Sequence, residues 1–161
     1  MTATTWRDRV PQPVLGEMDG VFARIMPYAE ELLRQFGVIY PFGMRMSEAG
    51  EFAPVFAGPD MPQDAPADVV LARLHDVAAS LAEDTRAVAF VVQVRIPQLP
   101  ASDRGNAVRG EIHHREPYSI GVIVPYERHP ETRELVMRPE DMYAYPESRR
   151  VWGEAGAAEP D

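Results

Sequence analysis

The sequence predicts an α+β domain: a two-layer sandwich in which an antiparallel sheet of about five to six strands carries two main helices on one face, in the order α-β-β-α-β-β-β(-β). Three observations predict it. Apolar residues recur at helical spacing over residues 14–36. The period drops to two directly after Gly37. Two further strand-like runs at 107–114 and 118–125 are separated only by Arg115-Glu116-Pro117, which makes a hairpin. Hairpins favour an antiparallel sheet, and the alternation that a parallel βαβ wind needs is missing.

The first helix carries its stripe on Val14, Leu15, Met18, Val21, Phe22, Ile25, Met26, Ala29, Leu32, Leu33 and Phe36, and Gly37 supplies its stop. Pro27 lies inside it, to kink one helix or to open a second. Residues 38–46 and 51–56 form two strands around the Ser47-Glu48-Ala49-Gly50 turn. A proline-rich connection leads to a second helix, with Asp64 or Asp68 as cap and Val70, Leu71, Leu74, Val77, Ala78 and Leu81 as its buried stripe. Residues 87–96 (AVAFVVQVRI) are almost continuously apolar and branched, as in a central strand buried on both faces. Residues 133–138 fit an edge strand and 142–145 a short strand or coil. Residues 1–152 thus form one domain, with 153–161 as a flexible acidic tail.

Composition removes whole chemistries. The 161 residues include no cysteine and no lysine, so all 16 basic side chains are arginines. Thiol nucleophiles, cysteine–zinc sites, Schiff-base lysines and P-loop lysines are excluded. The 16 prolines argue for short elements and against long uninterrupted helices. A net charge of −9 opposes nucleic acid and anionic membranes, and favours a basic protein partner through electrostatic steering. Without a secretory pattern or a long apolar run, a cytoplasmic protein with no membrane segment is expected.

The segment FGVIYPFG at 36–43, together with Val124-Pro125-Tyr126, resembles a group of small bacterial proteins of unknown function. In that group a long amphipathic helix runs into a Tyr/Phe-Pro-Phe-Gly segment, followed by a hairpin, a second helix and a Val-Pro-Tyr strand end. The resemblance covers most of 14–126. It implies the same α+β order and transfers no activity and no functional residue.

Two constellations could carry a function. Tyr40, Pro41, Phe42 and Gly43 form a helix-to-strand turn or a ligand contact, with Gly43 allowing close approach by a neighbouring strand or a ligand. Glu111, His113 and His114 sit in the only cluster of ligand-type residues, 111–116. On a strand, Glu111 and His113 share one face while His114 and Glu116 share the other. Glu111 and His113 could give a divalent metal two ligands, with His75, His129 or a remote aspartate needed as a third. The plainer alternative is a hairpin end that is polar because it is wet. His75 itself borders the second helix's stripe, where a hydrogen-bonded rim histidine is the simpler account.

The leading expectation is therefore a non-enzymatic, acidic protein-binding module of the immunity or inhibitor kind, with no cofactor. The alternative is a small metal-dependent or acid–base enzyme centred on Glu111, His113 and His114. Homodimerisation through a sheet edge at 51–56 or 133–138 is compatible with both.

Overall fold

A computed structural model describes residues 6–96 and 105–152; the expected tail at 153–161 lies outside them. A short 3-10 turn (Trp6–Arg9) leads into α1 (Gln12–Phe36). Then follow β1 (Phe42–Ser47), β2 (Phe52–Val55), α2 (Ala67–Ser80), β3 (Thr85–Arg95), β4 (Asn106–His114) and β5 (Ser119–Arg128). The last strands are β6 (Leu135–Met137) and β7 (Tyr143–Pro146). The class is α+β, with a curled antiparallel sheet in the order β2-β1-β3-β4-β5-β6. Among the described residues the sheet has seven strands rather than five to six because one edge of the ten-residue β5 serves two partners. β7 pairs with residues 120–123 and β6 with residues 126–128.

α1 is one helix of 25 residues, longer than the proline content led us to expect. Pro27 lies inside it without ending it. The carbonyl that Pro27 leaves without an amide donor is that of Ala23. Both residues are on the exposed side of the helix, so water can take the place of the missing bond. Gly37 ends α1 in the left-handed conformation (φ 75°), its amide donating to the Leu33 carbonyl at 2.9 Å. Gln93 on β3 then pins the exit. Its amide nitrogen donates to the Gly37 carbonyl and the Tyr126 hydroxyl, and its oxygen accepts from Ile39 N. α2 differs from expectation at its start. Pro66 precedes it and no side chain caps it, while Asp68 falls in its first turn.

The expectation that both helices share one face gives way to a different arrangement. Successive β3 side chains enter two separate cores. Ala87, Ala89 and Val91 pack with Val21, Ile25 and Leu33 of α1. Val88 and Phe90 pack with Val70, Leu74 and Ala78 of α2. Because strand side chains alternate, the two helices cover opposite faces of β3. A strand buried on both faces requires this cover. Met18, Met44 and Met46 are packing residues of the α1 core.

Candidate functional site

The face of β4 turned toward α2 displays Arg109, Glu111 and His113, two residues apart. The register sets their neighbours. Glu111 lies opposite Phe90 on β3 and Gly121 on β5, and Gly121 in turn lies opposite Tyr145 on β7. His113 lies between Val88 and Ser119. Two glycines make room for the rings of this row. A Cβ on Gly43 would come within 2.8 Å of the Phe90 ring, and one on Gly121 within 2.2 Å of the Tyr145 ring. Gly43 thus serves a neighbouring strand's side chain.

α2 brings the third group. His75 follows Leu71 by one turn and points at the sheet beside Leu74. Its Nε2 lies 2.8 Å from Glu111 Oε1, and His113 Nε2 lies 3.0 Å from the same oxygen. His75, Glu111 and His113 therefore converge, with one ligand-type atom from each inside a 4.8 Å span. Glu111 is 1% exposed and His113 0%, so neither belongs to a wet hairpin end. Only Arg115, Glu116 and Pro117 of that turn are exposed.

The two strand residues each have a second partner behind them. His113 Nδ1 lies 2.9 Å from Ser119 Oγ. An ionised carboxylate only accepts, so His113 donates through Nε2 and accepts the Ser119 hydroxyl at Nδ1. Glu111 Oε2 forms an ion pair with Arg109 at 2.9 Å. Arg109 also meets Glu147 at 3.0 Å and donates to the Tyr145 hydroxyl at 2.5 Å. The Phe90 ring stands edge-on to His75, with centroids 5.0 Å apart, and forms the apolar wall.

The electrostatics follow from these contacts. Burial alone would push the Glu111 carboxyl up, but hydrogen bonds from His113 and His75 and the attraction of both imidazoles outweigh it. Its pKa falls well below the usual carboxylate range, and it stays ionised. Burial pushes His113 down, and Glu111 offsets this only in part, so the ring is held neutral. Burial raises the Tyr145 hydroxyl against the opposing pull of Arg109. At neutral pH the site is an anionic carboxylate between a neutral buried imidazole and a permanent cation.

The sequence candidates divide. Glu111 and His113 meet, completed by His75, whereas His129 is not in the cluster. His114 is buried on the opposite face, where its Nε2 lies 2.6 Å from Glu17 of α1, so it belongs to a separate contact. Arg86 joins Glu17 there at 3.2 Å. Tyr40 and Phe42 do not join this cluster: Phe42 packs in the α1 core, on the other face of the sheet, and both line a groove of about 490 Å³ with Tyr28, Leu32, Met44 and Phe56. The Tyr40–Pro41 bond is trans. Sequence reasoning missed Arg109, Ser119, Tyr145 and Glu147. The period-two signal could have found Arg109, two residues before Glu111 on the same face.

No family model, no curated protein and no solved structure matches this chain. The residues of the site therefore carry the functional argument alone.

Proposed function

We propose that the protein binds one first-row divalent metal ion, zinc being the best match, through His75 Nε2, Glu111 Oε1 and His113 Nε2. One observation carries this: three ligand-type atoms from two elements lie within 4.8 Å of one another, and the two on β4 are oriented from behind, His113 by Ser119 and Glu111 by Arg109. Two imidazoles and one carboxylate form a common three-ligand zinc set that leaves a further position open. Imidazole and carboxylate ligands without thiolate suit zinc and its first-row neighbours. Tetrahedral bonds of about 2.0–2.1 Å set ligand–ligand edges near 3.3 Å. The separations of 2.8 and 3.0 Å would need to widen by a few tenths of an ångström, and the two imidazole nitrogens, within 4.8 Å of each other, would need to settle at a similar edge.

Ser119 suits the same role. When His113 Nε2 gives its electron pair to a metal, the proton sits on Nδ1 and is donated to Ser119 Oγ. Arg109 holds the other Glu111 oxygen, which fixes the carboxylate's rotation. A zinc ion there would supply Lewis acidity at the open position. Isothermal titration of the chelator-treated protein with zinc tests the proposal. A single site is expected, much weakened in both His75→Ala and His113→Ala. Zinc heats that are absent, or unchanged in both variants, would refute it.

A second proposal, a basic protein partner, draws on a different observation. Tyr28, Tyr40 and Phe56 are exposed around the groove between α1 and the β1–β2 hairpin, on a chain of net charge −9. Exposed aromatic side chains mark interaction surfaces, and the charge would speed encounter with a basic protein. Pull-down from native lysate at low salt should retain such a partner. Recovery of none would count against it. A homodimer remains a related proposal for β2 and β6, which end the strand order. No helix among the described residues is long and apolar enough to cross a membrane.

A further inference from the structure

We infer that metal occupancy locks α2 onto the sheet, so that the site works as a metal-responsive clasp; this rests on the metal proposal above. The observations concern how weakly α2 is otherwise held. Its buried residues are Val70, Leu74 and Ala78, against seven for α1. Neither helix has a side-chain N-cap, but α2 also lacks the left-handed C-cap that Gly37 gives α1. Among the described residues, Arg73 ties the helix to its own preceding loop, through the Ala57 carbonyl and Asp60. Among the described residues, the one side-chain hydrogen bond from α2 to the sheet is His75 to Glu111.

That bond is also the only bridge the metal would use to reach α2. Glu111 and His113 lie on one strand and are placed by its register whether or not α2 is docked. His75 arrives only when α2 is down. Three-ligand binding therefore selects the closed state, while the open state offers two ligands. A ligand shifts an equilibrium only by its differential affinity, and here the differential is one imidazole. Lifting α2 would uncover Phe90, which is fully buried beneath it, and loss of metal would thus expose an apolar face. Elements with few buried contacts open locally at low free energy, so α2 is placed to respond first.

Hydrogen–deuterium exchange of the full chain, with zinc and with chelator, tests the inference alongside the zinc titration. Zinc at about a hundred times its Kd should slow exchange of the α2 amides by up to about 100-fold, with those of α1 unchanged. In His75→Asn, zinc should bind more weakly at Glu111 and His113, and the added protection of α2 should vanish. Two results overturn the clasp while leaving the metal site standing. One is zinc binding with α2 exchange altered by less than about twofold, far short of the linkage expectation. The other is equal α2 protection in His75→Asn. Absence of zinc binding defeats the metal site and the clasp together.

Discussion

Replacing Glu111 by glutamine isolates the charge at the centre of the site while keeping its shape. The amide oxygen can still accept from His75 and His113. The new NH2 group, however, would take the place of Oε2 and face the Arg109 guanidinium across 2.9 Å, donor against donor. Removing one partner of a buried pair costs about 3–5 kcal/mol. Arg109 keeps Glu147 and Tyr145 and is partly exposed, which places this case near the low end, about 3 kcal/mol. At roughly 2–4 °C per kcal/mol for a domain of this size, Tm should fall by about 6–12 °C. Urea unfolding and calorimetry, both in chelator so that metal does not contribute, measure the effect. A change below about 0.5 kcal/mol, the scatter of ordinary surface substitutions, would refute the view that Glu111 is a charged hub.

The remaining expectations touch separate parts of the structure. Acid should destabilise the protein in two stages. The folded pKa of His113 is lowered, so its contribution is complete above the unfolded value of about 6.5 and fades as pH falls below it. That of Glu111 is also lowered; its contribution is complete above about 4.3 and is lost as pH falls through the folded value. Urea midpoints against pH for wild type and His113→Gln should differ in slope as pH falls below about 6.5, by at most about 1.4 kcal/mol per pH unit. Ser119→Ala should weaken zinc about 10–100-fold in titration, as loss of a ligand's orienting partner does. Gly121→Ala should displace Tyr145 and cost about 1–3 kcal/mol as an overpacked site, an effect that Tyr145→Ala should relieve in the double variant. Pro27→Ala should raise Tm, since alanine restores the Ala23 bond in an exposed helix interior.

Much of the fold was legible because it is local. The α1 stripe, the Gly37 stop and the hairpin around Arg115-Glu116-Pro117 all depend on neighbours within a few residues. The parity of Glu111, His113 and His114 was legible for the same reason, and the structure puts His114 on the other face, against Glu17. The placement of the two helices was not read correctly. Yet the continuous apolar run in β3 already required cover on both faces, which two helices on one face cannot give. The span of α1 was legible from its stripe over 14–36, but the proline content argued against so long a helix; Pro27 is tolerated because both it and the carbonyl it frees face water.

The site was half legible. Its two strand residues share a local pattern, but His75 is 36 positions from Glu111 and meets it only through the docking of α2. A histidine bordering an apolar stripe has the same sequence signature whether it faces solvent or a carboxylate. The burial of Glu111 and His113 also depends on the row Phe90, Gly121 and Tyr145, drawn from three other strands. No spacing within one segment encodes such a row.

X-ray absorption at the zinc edge of the zinc-loaded protein tests the central claim most directly. The account requires one ion with two imidazole ligands and oxygen ligands at about 2.0–2.2 Å, four-coordinate, with imidazole scattering reduced to one ring in His75→Ala. A shell of oxygen atoms alone, or an unchanged two-imidazole signal in that variant, would contradict it.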